Sequence, residues 1–346
     1  MRLGNSDAVL ALLIALTPNI RRLSLSPKWT VDLTYLGLVF QAALCPGHLT
    51  VGATRLPTYE DLTFVSLTPC FLVEHLFDAP EEDNILALFY LPGVEELVIP
   101  IASRSKMNWP YERPPKPTSL RSLEIHRLRE QFLGPVLSVC SNLQSLHYRW
   151  LLHNGVDQPH NESPLNLTEM ASNIASHCSC TLTTLRIDAA TQLSPGDCDD
   201  PPLEFSGSLV PLKEMTALQK LRLPWPFVCG TLDAPFDGSI RNLAPGSLRY
   251  LQLARQLVRY EEFWWTPAEL LGLIAAEMDA GLLQAVPRLE GIRTSLARTM
   301  RGVKVDGEVL QEMGRLRASH LQVEVDEPDC SVYISTRPDS QVRYHM

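Results

Sequence analysis

The sequence predicts an α/β solenoid, a right-handed β-α superhelix in which irregular repeats stack their short strands into one curved parallel sheet. Three observations predict it: an apolar triplet that recurs along most of the chain, a turn of small or proline-containing residues ahead of it, and helical apolar stretches in between. At 346 residues the chain is also longer than one hydrophobic core usually serves, and growth along one axis by repetition resolves that difficulty.

The triplet places apolar residues at i, i+3 and i+5. Its copies are Ile20/Leu23/Leu25, Leu62/Val65/Leu67, Val94/Leu97/Ile99, Leu120/Leu123/Ile125, Leu143/Leu146/Tyr148, Leu182/Leu185/Ile187, Leu218/Leu221/Leu223 and Leu248/Leu251/Leu253. Weaker echoes follow at Leu289/Ile292 and Leu321/Val323/Val325. Successive copies stand roughly 23 to 42 residues apart, the range of solenoid repeats. Period-two alternation puts the i+3 and i+5 residues on one face of a short strand and the polar residues between them on the other. One such unit cannot bury its apolar face alone, so it needs the next unit stacked on it.

A bare triplet arises often by chance in a chain this rich in leucine; its company does not. Thr17-Pro18-Asn19, Leu91-Pro92-Gly93, Cys140-Ser141-Asn142 and Met215-Thr216-Ala217 each stand directly before a triplet, and Ala244-Pro245-Gly246 stands one residue ahead of one. Such residues end helices and turn the chain. The strongest helix signal is Thr266-Pro267-Ala268-Glu269, which supplies a capping residue, proline at the first helical position and an acidic residue placed to close a capping box. It predicts a helix from about Pro267 to about Ala280, with Phe263-Trp264-Trp265 ahead of it as packing that staples the first turn. A second helix is expected from Ser163-Pro164 through Leu167, Met170 and Ile174. Helices alternating with strands imply a parallel sheet.

Polar, proline-rich stretches at residues 103–118, 153–163, 193–208 and 224–238 read as loops inserted at unit edges, where solenoids often bind. The expected organisation is one domain over residues 1–346, with repeats over about 8–300 and a C-terminal cap and tail over 301–346. In that tail, residues 323–325 and 331–335 resemble two short strands around the Glu327-Pro328-Asp329 turn, placed to cover the last open sheet edge.

Hydrophobic residues at 45% and charged residues at 20% exclude wholesale disorder. A net charge of -9 without any Lys/Arg run argues against nucleic acid as partner, because phosphate backbones need clustered positive charge. No apolar run approaches the roughly 18 residues of a membrane span. The apolar residues 8–16 follow Asp7, with only Arg2 ahead of them, and so read as a helix rather than a secretory leader. Eight irregularly spaced cysteines read as free thiols in a reducing, intracellular compartment, cytoplasmic or nuclear. The sequons at Asn161 and Asn166 would matter only in a secreted protein.

Taken together, residues 12–25, 91–99, 140–148 and 215–223 resemble the divergent leucine-rich repeats of fungal F-box/leucine-rich-repeat proteins, and the likeness extends over about residues 8–295. The resemblance implies a leucine-rich-repeat-like solenoid whose array binds the substrate of a ubiquitin ligase. In that family an N-terminal F-box docks on the ligase scaffold. Here a repeat begins almost at once and no F-box is visible, so a stand-alone scaffold or a family remnant without the ligase link is the alternative.

The polar positions of the strands name a candidate surface: Glu96, Glu124, His126, His147, Arg149, Thr184, Arg186, Asp188, Lys220, Arg222, Tyr250 and Gln252. Among them His147, Arg149, Arg186, Lys220 and Arg222 fall in near-register as a positive stripe on an acidic protein, and Tyr250 on the same side is a further candidate for protein binding. Such a stripe suits an acidic or phosphorylated segment of a partner protein; the alternative is that these are solvated strand residues. Trp109, Tyr111, Trp225 and Phe227 lie in the proline-rich insertions, either as exposed interface anchors or folded back over repeat edges. His177-Cys178-Ser179-Cys180 lacks a second ligand pair and reads as a turn rather than a metal site. The sequence contains no Gly-x-Ser-x-Gly elbow, no His-Glu-x-x-His pair and no Gly-rich phosphate loop with lysine. The expectation is a non-catalytic interaction module without cofactor or metal, against the alternative of an enzyme whose site assembles only in space.

Overall fold

The second and third residues of all eight triplets fall on strands. The computed structural model describes residues 6–26, 33–45, 56–67, 85–101, 107–153, 164–192, 203–230, 240–254, 256–257, 267–295 and 322–326. Its strands are β1 (Arg22–Leu25), β2 (Phe64–Leu67), β3 (Glu96–Pro100), β4 (Ser122–His126), β5 (Ser145–His153), β6 (Leu165–Asn166), β7 (Thr184–Gln192), β8 (Phe205–Ser206), β9 (Lys220–Pro224), β10 (Tyr250–Ala254), β11 (Gly291–Ser295) and β12 (Gln322–Asp326). Ten of them form one sheet in the order β1-β2-β3-β4-β5-β7-β9-β10-β11-β12, with every neighbour parallel, while β6 and β8 make a separate parallel pair. Each strand of the large sheet therefore lies beside the one that follows it in the chain, apart from the excursion through the small pair.

The register explains why. Leu23, Val65, Leu97, Leu123, Leu146, Leu185, Leu221, Leu251, Ile292 and Val323 are successive register partners across the whole sheet. The first nine are at most 5% exposed. A slip by one residue would turn each of these nine side chains to the opposite face, so the apolar row holds their strands in step. The turn ahead of the triplet also recurs. The first apolar residue of a triplet donates its N–H to the carbonyl three residues earlier, as in Leu62 to Tyr59, Leu120 to Pro117, Leu143 to Cys140, Leu218 to Met215 and Leu248 to Pro245, at 3.0–3.3 Å. At Gly93 the turn also needs its missing side chain. A Cβ there would lie 2.3 Å from the Glu60 carbonyl oxygen of the preceding unit.

Helices fill the intervals: α1 (Ser6–Ala15), α2 (Thr34–Leu44), α3 (Leu133–Leu137), α4 (Leu167–Cys178), α5 (Pro226–Cys229), α6 (Ile240–Leu243), α7 (Pro267–Asp279) and α8 (Leu282–Ala285), with 3-10 turns at Ala87–Tyr90, Glu130–Phe132 and Val210–Glu214. Their apolar residues, among them Phe40, Phe89, Val136, Ile174, Leu212 and Leu271, join the strand leucines in one buried cluster. The core thus lies between the sheet and a layer of helices. On its opposite face the sheet exposes Arg22, Glu96, Lys220, Tyr250 and Arg293. Parallel sheets are usually covered on both sides; among the described residues this one is covered on one.

At the first end of the sheet, Asp7 of α1 caps a different helix. Its carboxylate accepts the N–H groups of Tyr35 at 2.6 Å and Leu36 at 3.2 Å at the start of α2. Val9, Leu12, Leu13 and Leu16 line the exposed outer side of the first helical segment, and Ala11 and Ile14 its buried side.

Helix α7 lies where the proline signal puts it; Thr266 and Phe263-Trp264-Trp265 lie outside the described residues. Helix α4 starts at Leu167, later than Ser163-Pro164, because Leu165 and Asn166 are taken up by pairing with β8. Asn166 then serves as the cap, its side-chain oxygen accepting the Glu169 N–H at 3.0 Å. In the tail, β12 continues the sheet as a further parallel strand, and residues 331–335 lie outside the described residues. No helix among the described residues is long and apolar enough to cross a membrane.

Candidate functional site

The register that aligns the leucines also aligns what stands between them. Glu124, His147, Arg186, Arg222, Gln252 and Arg293 are successive register partners on the solvent side of the sheet. Two residues along, His126, Arg149 and Asp188 form a second row. Strands about 4.8 Å apart bring such neighbours within direct reach of one another.

The two rows converge on Asp188. One carboxylate oxygen accepts from His147 Nε2 at 2.7 Å and Arg186 Nε at 2.7 Å, with Arg149 Nε at 3.9 Å. The other accepts from Arg222 Nε at 3.1 Å and Gln256 Nε2 at 2.8 Å. Glu124 forms the second anchor: His126 Nε2 lies 2.8 Å away, His147 Nδ1 3.0 Å and Arg149 3.6 Å. Both ring nitrogens of His147 therefore face carboxylates, and both can donate only when the ring is doubly protonated.

Burial and pairing pull the carboxyl groups in opposite directions. Burial pushes Asp188 up, but the hydrogen bond from His147 and the charges of Arg186 and Arg222 outweigh it and hold the group well below the usual carboxylate range. Burial likewise raises Glu124, and the hydrogen bonds from His126 and His147 overcome it, so this group too sits far below its ordinary value. His126 goes the other way for a base: desolvation lowers it, against the opposing pull of Glu124.

The stripe expected from the sequence is thus corrected to a compact cluster around two acids. Asp188 and His126, expected at the surface, are 7% and 2% exposed, because the longer side chains beside them close over them. The side chains of Arg149 and Arg186 stay 40% and 39% exposed, and those of Arg222 and His147 are largely covered at 14% and 16%. Lys220 and Tyr250 do not join. They are register partners at the start of their strands, two residues before Arg222 and Gln252. Tyr250 donates its hydroxyl to Glu290, which Arg249 also binds.

The aromatic anchors are corrected as well. Trp225 is 1% exposed and Phe227 2%, the latter edge-on to Phe205 at 4.9 Å. Trp225 continues the leucine side of β9 beyond Leu221 and Leu223, so it faces the core and not the surface of Arg222. Trp109 is half-buried, edge-on to Phe89 at 5.4 Å, and Tyr111 packs edge-on to Tyr90. These rings close the unit edges. In the His177–Cys180 turn, Cys178 is in the core, its thiol pushed up to about 12 by burial, while Cys180 is exposed.

Gln256 was invisible to sequence reasoning. It sits past β10 in an irregular segment, yet its amide spans to β7, donating to Asp188 and accepting the Ala189 N–H at 2.7 Å. No periodicity marks such a residue. No protein-family model matches the chain, and a search of curated proteins finds no match to it.

Proposed function

We propose that the chain is a leucine-rich-repeat-like solenoid that binds a partner protein on the open face of its sheet, at the cluster around Asp188, and that the bound segment is acidic or phosphorylated. A helix or 3-10 turn in most intervals between strands, an in-register leucine row and, among the described residues, a helix layer on one side of the sheet support the solenoid. The observation that carries the binding role is that Arg186 is hydrogen-bonded through Nε to the buried Asp188 and Arg149 is ion-paired between Glu124 and Asp188, yet both keep about two fifths of their side-chain surface open. Guanidinium groups fixed in this way meet an anionic ligand already oriented, which lowers the ordering cost of binding. Substrate recognition for a ubiquitin ligase, implied by the sequence resemblance, is one form of this role.

A photo-reactive residue placed at Lys220 or Gln252 on the open face, or at Ser176 on the helix side, tests the surface. The expected result is a cross-linked partner from Lys220 and Gln252 that disappears with Arg186→Glu. Cross-links from Ser176 alone, or ones that survive reversal of both Arg149 and Arg186, sink the reading.

A further inference from the structure

We infer that the open first end of the sheet is an interface with a second copy of this chain, in which helix α1 packs antiparallel on its counterpart about a two-fold axis. The inference is independent of the cluster around Asp188.

Exposed apolar surface is concentrated at this end. Of the eight large hydrophobic side chains exposed among the described residues, six belong to the first two helical segments: Val9, Leu12, Leu13, Leu16, Tyr35 and Leu38. The first four are 55–68% exposed and stand at i, i+3, i+4 and i+7, which makes one stripe along the helix. Asp7, Ala11 and Ile14 occupy the other side, and Asp7 reaches the start of α2, so the stripe points away from α2. The end unit of a solenoid needs a polar outer face to stay soluble. Here every residue from Ala8 to Leu16 is alanine, valine, leucine or isoleucine.

Chemistry narrows the occupant. The stripe carries no charge for a foreign partner to match, whereas it complements itself: turned about a two-fold axis, its leucines meet leucines. Between Ala8 and Ile20 there is no lysine or arginine to seat the helix on a lipid surface. Size points to the same occupant. The six side chains expose on the order of 500 Å², against about 800 Å² per partner in a stable interface. Strand β1 supplies the remainder. It ends the sheet, paired with β2 alone among the described residues, and carries neither proline nor bulge to guard its edge. Its one charged side chain, Arg22, lies over the Phe64 ring of β2 at 3.9 Å, turned inward from that edge. The axis that pairs the helices sets β1 against its own copy as well, antiparallel, as a two-fold requires.

The test is sedimentation velocity of the full chain at concentrations up to about 100 μM. The unaltered chain is expected to pass from monomer to dimer over this range and to form nothing larger. Leu12→Glu and Leu13→Lys are each expected to weaken the dimer at least about tenfold. Both side chains are more than half exposed, so at dilutions where every chain is monomeric the two variants are expected to keep the unaltered urea midpoint. The middle of the stripe falls between these residues, so Leu12 of one copy faces Leu13 of the other. Mixing the two variants is therefore expected to restore a dimer that neither forms alone. A chain that stays monomeric throughout, association that grows past two copies, a dimer indifferent to both substitutions, or a mixture that stays monomeric overturns the proposal.

Discussion

His147 Nε2 lies 2.7 Å from Asp188 Oδ2 on the next strand of the sheet, while its Nδ1 lies 3.0 Å from Glu124 on the strand before. One ring therefore ties three strands together, and Asp188 is where the ties end. Removing that carboxylate leaves Arg186, Arg222 and His147 facing one another with less compensation, although the half-exposed Arg149 and Arg186 can still turn to water. Asp188→Ala is expected to destabilise the fold by about 3 kcal/mol, read as a lower urea midpoint with an unchanged slope. An unaltered midpoint would show that the cluster is solvated charge and not a structural tie.

The same cluster makes stability depend on pH, with a sign that can be worked out. His126 is lowered by burial, so the unfolded chain binds its proton first; its contribution is complete above about pH 6.5 and declines as pH falls below that. Asp188 and Glu124 are lowered by their partners, so their contributions are complete above about pH 4 and are lost as pH falls further. Urea midpoints measured across pH are expected to be level near neutrality, to sag below about pH 6.5 and to drop more steeply below about pH 4. His126→Gln should flatten the first decline, lessen the share of the second that Glu124 carries and spare the share that Asp188 carries. A midpoint that rises on acidification contradicts this ordering.

The strands were legible because burial leaves a periodic trace. Each triplet repeats the pattern that the sheet enforces, and Leu146, Leu185 and Leu221 mark their strands without knowledge of any other residue. Arg186 and Arg222 were legible for the same reason, as the residues that alternate with them. Pairing was not legible. Whether Asp188 lies exposed or buried depends on Arg149, His147 and Gln256, which reach it from other parts of the chain and leave no spacing to read. Trp225 illustrates the same gap, since a proline-flanked tryptophan looks like a loop residue until the strand before it is seen to continue its phase.

Tyr148 takes the place of an aliphatic residue in the i+5 row, where Ile125 and Ile187 are its register partners. It is 0% exposed, and its hydroxyl donates to the Leu128 carbonyl at 2.5 Å. That bond pins the turn after β4 to the core. Tyr148→Phe keeps the ring and leaves a buried carbonyl short of a donor, so a loss of about 1–3 kcal/mol is expected. Amide exchange should quicken at residues 127–132 more than in β5 itself, and uniform quickening throughout the sheet would assign the bond no local role.

Asp7 carries the last prediction, because it joins two helices that share no strand. Its carboxylate takes both the Tyr35 and the Leu36 N–H, two of the donors that the first turn of a helix leaves unsatisfied, and it does so while 4% exposed. A cap supplied from 28 residues away holds α1 against α2 as well as starting α2. Asp7→Ala is expected to cost about 1 kcal/mol, as for other lost caps, whereas Asp7→Asn, which keeps one acceptor oxygen, should lose less. The discriminating measurement is amide exchange at Tyr35 and Leu36 beside that at Val65 and Leu97. Faster exchange confined to α2 marks a local cap, and an equal rise at all four would mean that Asp7 supports the sheet instead.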